Sequence, residues 1–143
     1  MYTEPHMPPA PITPEQTRRF LVILWVAMFV TVPVYYFISG TVRADNANPD
    51  SPLVYPLLGV GILMVLASFY IKAGFGSKVP RSIALVRMRY IIALVLTEVP
   101  AILGLVVYVV SAWPNAWVFF VISAGGYILN FPVPRDFEGA DNT

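Results

Sequence analysis

Apolar residues along the chain fall in four long blocks, separated by shorter segments rich in polar residues, glycine and proline. The blocks run from Phe20 to Ser39, from Leu53 to Ile71, from Tyr90 to Val110 and from Ala116 to Phe131. A helix of roughly 20 residues crosses the hydrocarbon core of a bilayer. The blocks do not alternate polar and apolar positions, as the strands of a membrane β-barrel do. Backbone N–H and C=O groups in lipid must be hydrogen-bonded, and a helix satisfies them within its own segment. The pattern therefore predicts an all-α, polytopic membrane protein with four transmembrane helices.

The start of the first helix has its own signal. Thr13 is placed as the N-cap, Pro14 at the first helical position and Gln16 as the residue that closes a capping box. The helix is thus predicted to begin several residues before the apolar block. The block is also longer than the roughly 7–15 apolar residues of a cleaved signal peptide, so we expect it to be retained as a span.

Composition agrees with a membrane protein and narrows its chemistry. Of the residues, 57% are hydrophobic and 12% are charged, against about 25% charged in soluble domains. Cysteine is absent, and His6 in the N-terminal arm is the single histidine. We therefore expect no bound metal, no cofactor, and no haem or chlorophyll ligated through histidine. Phosphate-binding glycine loops and catalytic triads are also missing from the sequence, so an enzyme is not expected. The net charge of +1 gives no indication of nucleic-acid binding.

The distribution of basic residues predicts the orientation. Eight of the nine lie in the N-terminal arm, between the second and third blocks, or in the C-terminal tail: Arg18, Arg19, Lys72, Lys78, Arg81, Arg87, Arg89 and Arg135. By the positive-inside rule these segments, and both termini, are cytoplasmic. The predicted organisation is a proline-rich cytoplasmic arm (1–17), a four-helix transmembrane domain (18–132) and a short cytoplasmic tail (133–143). The expected location is the bacterial inner membrane.

One acid, Glu98, interrupts the third block. A charged side chain at such a depth is costly, so Glu98 must be neutral or paired. The other blocks offer no cation, and the neutral acid is expected in the isolated chain. Pro100 cannot donate the helical bond to the carbonyl of Leu96. Together with the Thr97 hydroxyl, the acid and the freed carbonyl predict a proton or small-cation site.

The alternative is that Glu98 hydrogen-bonds a neighbouring subunit and that Pro100 only kinks the helix, as Pro33 would in the first block. Both interpretations stay open. Small residues mark the faces where helices are predicted to pack closely. These positions are Gly59, Gly61, Ala93, Ala101, Gly104, Gly125 and Gly126.

The run "TEVPAILGLVVYVVSAWP", with Glu98 followed by Ile102-Leu103-Gly104-Leu105-Val106, resembles the carboxylate-bearing helix of the ring subunit (subunit c, the proteolipid) of rotary ATP synthases. In addition, Lys78-Val79-Pro80 is similar to the turn that precedes this helix in that family. The resemblance covers residues of about 53–114. It implies that Glu98 is the ion-binding carboxylate and that Lys78-Val79-Pro80 faces a rotor stalk.

Three functional classes follow from these features. The first is a small subunit that handles protons or ions through Glu98, in a proteolipid-like manner. The second is an accessory or scaffolding subunit of a respiratory, photosynthetic or transport complex, with Glu98 as an inter-subunit partner. The third is a small transporter that would need to oligomerise. The expected partners are the lipid bilayer and other membrane subunits, either copies of this chain or a larger complex.

Overall fold

The computed structural model describes residues 13–42, 51–73 and 82–137, and most of the residues in these ranges are helical. Helices α1 (Pro14–Thr41), α2 (Val54–Ala73), α3 (Ile83–Ser111) and α4 (Trp117–Leu129) are followed by a short 3-10 helix, η1 (Pro134–Phe137). The all-α fold class is confirmed. Residues 1–12, 43–50, 74–81 and 138–143 lie outside the described ranges, and so do Lys78, Arg81 and most of the predicted arm and tail.

Three of the helices, α1, α2 and α3, are long and apolar enough to cross a membrane. Helix α4 has 13 residues and is therefore about 20 Å long, shorter than a hydrocarbon core of about 30 Å. The fourth block is thus a helix, as predicted, but it ends at Leu129 and not at Phe131. The last turn tightens, because the N–H groups of Asn130 and Phe131 also bond to carbonyls three residues back, at Tyr127 and Ile128. Pro132 then has no N–H with which to continue a helix.

The starts of α1 and α3 are set by caps. The Thr13 side chain accepts from the Gln16 N–H and the Gln16 side chain accepts from the Thr13 N–H, which confirms the predicted capping box. Ser82 caps α3 at Ile83, so this helix begins seven residues before the apolar block at Tyr90. The early start matters for the site, because it moves Glu98 to the middle of α3.

Helix α3 is the centre of the bundle. Half of its most apolar stretch is buried, compared with 11% for α1 and 22% for α2. The core has three layers along it. The first contains Leu21, Ile83, Val86, Tyr90 and Phe137; the second contains Val32, Leu94, Ala101, Phe120 and Tyr127; the third contains Val54, Val107, Ala116 and Phe119.

The layers define the two ends of the bundle. Phe137 packs with Leu21 and Ile83, so the described N-terminal and C-terminal segments lie at the same end as the start of α3. The other end is formed by the starts of α2 and α4 with the ends of α1 and α3, and its described residues carry no lysine or arginine. At the first end lie Arg18, Arg19, Lys72, Arg87, Arg89 and Arg135. We call this first end the basic end.

The small residues differ in what surrounds them. A Cβ added at Gly104 would lie 2.6 Å from the Cβ of Phe119, and one at Gly126 would lie 2.7 Å from Cγ2 of Thr97. Gly61 has ordinary contacts with Pro100 of α3, and Ala93 and Ala101 are fully buried. Gly59 and Gly125, in contrast, have nothing within 4 Å of a Cβ position. Close helix approach therefore rests on Gly104 and Gly126.

Candidate functional site

Glu98 lies in the interior of the bundle near the midpoint of α3. It comes 15 residues after Ile83, which is about 22 Å along a helix about 43 Å in length. The residue is only 8% exposed. An acid at this depth and burial needs hydrogen-bond partners in either protonation state.

Hydroxyl groups from α1 and α4 supply those partners. The Tyr127 hydroxyl donates to Oε2 of Glu98 at 2.6 Å, and the Thr31 hydroxyl contacts Oε1 at 2.5 Å. Tyr35 of α1 lies near the carboxylate and interacts with it electrostatically. The carboxyl group of Glu98 is therefore hydrogen-bonded to two other helices of its own chain, whereas one of the two interpretations of the sequence placed its partner on another subunit.

The Thr31 hydroxyl contacts a second acceptor, the carbonyl oxygen of Met28, at 2.5 Å. A hydroxyl has a single proton and can serve only one of these acceptors at a time. When Glu98 is protonated on Oε1, it donates to Thr31, and Thr31 donates to Met28. When Glu98 is ionised, Thr31 turns its proton to Oε1. Tyr127 donates to Oε2 in both cases, so this geometry provides partners for Glu98 with and without the proton.

Aromatic packing holds the donor side of the site in place. The indole N–H of Trp25 donates to the carbonyl of Tyr127 at 2.8 Å. The rings of Trp25 and Phe29 stack at 5.0 Å, and both meet the Tyr127 ring edge to face. Tyr127 is fully buried. Its hydroxyl is therefore fixed toward Glu98 by packing from α1, an arrangement that favours a defined proton position.

Thr97 faces a different part of the bundle. Its hydroxyl donates to the carbonyl of Ala93 and accepts from the side-chain amide of Asn130 at 3.1 Å. The same amide donates to the Ser68 hydroxyl at 2.8 Å, and Ser123 donates to the carbonyl of Thr97. All four side chains are fully buried. They form a second polar network, between α2, α3 and α4, which we call the Asn130 network.

The predicted three-residue site is thus divided in the structure. Glu98 contacts α1 and α4, whereas Thr97 belongs to the Asn130 network. Pro100 lies inside α3 and removes the helical donor to the carbonyl of Leu96, while its own side chain packs against Gly61 of α2. Pro33 lies inside α1, two residues after Thr31, and is exposed.

Charged groups meet at the basic end of the bundle. The Lys72 ammonium group lies 3.6 Å from Asp136 and donates to the carbonyl of Phe131 at 3.2 Å. It also lies over the ring of Tyr90, 5.0 Å from its centroid. The Tyr90 hydroxyl donates to Asp136. These contacts attach the segment after α4 to the C-terminal end of α2 and to the N-terminal part of α3.

Within the described ranges, no group of three or more His, Cys, Asp or Glu side chains is close enough to hold a metal ion. Comparison with family models, curated proteins and solved structures finds no match to this chain.

Sequence reasoning did not predict the partners of Glu98. The other apolar blocks contain no cation, and neutral hydroxyl groups contact the acid instead. A signal was present, because Thr31 and Tyr127 are hydroxyl-bearing side chains well inside the first and fourth blocks. Asn130, by its position near the end of the fourth block, carried a similar signal as a polar residue that needs buried partners.

Proposed function

We propose that this protein is a small integral membrane subunit in which Glu98 binds and releases a proton inside the helical bundle. The observation that supports this function is the hydroxyl network, which can satisfy Glu98 in both protonation states. A buried acid used only for structure would keep a single protonation state and would need partners for that state alone. Ionisable residues inside membrane spans often belong to proton or ion pathways.

The proposal rests on this network more than on the resemblance to the ATP synthase ring subunit. The groups that contact Glu98 come from α1 and α4, and a two-helix ring subunit has no counterpart for these helices. Ion handling in a proteolipid-like manner stays a narrower form of the proposal, in which proton exchange at Glu98 would be coupled to movement between subunits.

The accessory-subunit alternative has support of a different kind. Glu98 finds its hydrogen-bond partners within its own chain, so in this alternative the acid would stabilise the bundle and not an inter-subunit contact. The long apolar surfaces of α1 and α2, which are mostly exposed, would then face lipid or larger subunits of a membrane complex.

Labelling with a hydrophobic carbodiimide tests the proposed function. Such reagents attack protonated carboxyl groups in apolar surroundings, so we expect Glu98 to be modified at low pH and progressively less as the pH rises. Mass spectrometry of the purified protein in detergent would locate the modified residue. Glu98→Gln is the control and should remove this modification. If Glu98 stays unmodified at every pH, proton exchange is excluded and the accessory role is favoured.

The orientation and the fourth crossing are also part of the proposal. We infer that the basic end is cytoplasmic, in a bacterial inner membrane, because the described lysines and arginines gather there. Helix α4 is too short to cross alone, but the chain continues from Asn130 to Phe137, which packs with Leu21 at the basic end. The helix and this continuation together would make the fourth crossing.

Single cysteines test this topology, since the chain has none of its own. We expect Asn115→Cys, in the exposed turn before α4, to react with a membrane-impermeant maleimide on intact cells. Glu15→Cys, exposed at the basic end, should react only after the membrane is permeabilised. Reaction of both cysteines on intact cells, or the reverse pattern, would contradict the proposed orientation.

A further inference from the structure

A cavity of about 560 Å³ opens at the basic end of the bundle, between α2 and α3. This volume is in the range of ordinary ligand pockets. Its lining combines apolar side chains, including Leu66, Phe69 and Leu129, with the charged groups of Lys72, Arg89 and Asp136. None of these residues takes part in the Glu98 site, so the function of the cavity is a separate question.

The charged part of the lining has an excess of positive charge. Asp136 is already engaged within the chain, because it accepts from the Tyr90 hydroxyl and lies 3.6 Å from the Lys72 ammonium group. Among the described residues that line the cavity, two are cationic and one is anionic, a formal excess of one positive charge. Arg89 adds a guanidinium group with five donors, the geometry that suits a phosphate group.

Along α2, the apolar part of the lining lies deeper in the bundle than the charged part. Leu66 comes six residues before Lys72 on α2, a separation of about 9 Å along the helix axis toward its middle. Tyr70 lies between these two levels and also lines the cavity, at a position where aromatic rings meet the membrane interface. The α2 side of the cavity is therefore cationic near the membrane surface and apolar toward the interior.

We propose that this cavity binds an anionic phospholipid, with its headgroup phosphate beside Arg89 and Lys72 and its acyl chain along Leu66 and Phe69. Basic pockets between helices on the cytoplasmic side are a recognised setting for anionic headgroups. Free phosphate would use only the charged part of the cavity. The apolar lining below it favours a lipid as the source of the phosphate group.

Native mass spectrometry of the protein in detergent tests the proposal. Phosphatidylglycerol is titrated in, in parallel with phosphatidylcholine of the same acyl chains and with inorganic phosphate. We expect phosphatidylglycerol to bind more tightly than phosphatidylcholine, and Arg89→Gln to weaken its binding about fivefold. The matched control is Arg87→Gln, two residues away on α3, whose guanidinium lies over the ring of Phe20 and not in the cavity. It should leave binding unchanged.

A second pair of variants avoids the half-buried arginine. Ala73 is exposed at the end of α2 and lines the cavity, so Ala73→Glu adds a negative charge there without disturbing the core. We expect Ala73→Glu to weaken phosphatidylglycerol binding and Ala73→Gln to leave it intact. Equal binding of the two lipids, equal effects at Arg89 and Arg87, or displacement of phosphatidylglycerol by inorganic phosphate at matched concentration would overturn the proposal. Each of these outcomes leaves the role of Glu98 unaffected.

Discussion

Replacing Gly126 by alanine is expected to lower the free energy of unfolding by about 2–3 kcal/mol. The added Cβ would lie 2.7 Å from Cγ2 of Thr97 and 3.3 Å from both methyl groups of Val65. None of these atoms is the end of a flexible side chain. Thr97 is fixed by hydrogen bonds to Ala93 and Asn130, so α4 itself would have to move away from α2 and α3.

The neighbouring glycine gives a matched control. Gly125 has nothing within 4 Å of a Cβ position, and alanine favours a helix over glycine by about 1 kcal/mol. We therefore expect Gly125→Ala to be neutral or stabilising. Both variants can be followed by thermal or denaturant unfolding of the purified protein in detergent. Equal stability of the two variants would show that α4 does not pack on α2 and α3 as described.

Gly126 also matters for the polar groups beyond it. The close approach of α4 to α3 at this glycine brings Asn130 within hydrogen-bond distance of Thr97 and Ser68. It brings Tyr127, the next residue, to Glu98. The Asn130 network and the Glu98 site thus depend on one helix contact, and disturbing that contact would affect both.

Much of the fold was predictable from local sequence. Hydropathy alone located the four helices, because an apolar block in lipid has few alternatives to a helix. The cap at Thr13 was readable because capping depends on residues three positions apart. The end of α4 was harder to predict, since Asn130 leaves the helix to form buried tertiary bonds, and only the folded bundle shows which residues those bonds reach.

Of the candidate site, the sequence predicts Glu98 but not the residues that contact it. Burial of an acid in an apolar block follows from sequence, but the face that it occupies depends on how α3 packs. Thr97 and Glu98 are adjacent in the chain, and successive helical residues point about 100° apart. The Thr97 side chain therefore faces α2, and the Glu98 side chain faces α1. Helix spacing explains the separation afterwards, but sequence alone does not show which neighbour lies on each side.

Replacement of Glu98 by glutamine and by alanine should have very different effects. Glutamine preserves the shape of the protonated acid: its amide can donate to Thr31 while Thr31 donates to Met28, and its carbonyl can accept from Tyr127. We expect Glu98→Gln to change the free energy of unfolding by less than about 1 kcal/mol. Alanine would leave the buried Tyr127 hydroxyl without an acceptor and open a cavity, so we expect Glu98→Ala to cost about 3–4 kcal/mol.

Unfolding of the three proteins in the same detergent measures this difference, and Tyr127→Phe completes the comparison. In wild-type protein, Tyr127→Phe removes one donor to Glu98 and should cost about 1–2 kcal/mol. In the Glu98→Ala background the same substitution removes a hydroxyl that has already lost its acceptor, so it should cost nothing or restore some stability. Equal costs in the two backgrounds would mean that the two side chains do not act together. A coupled pair would measure the structural contribution of the network, and carbodiimide modification of wild-type Glu98 that falls as the pH rises would report its proton. Only the second result distinguishes a proton-binding subunit from one in which Glu98 holds helices together.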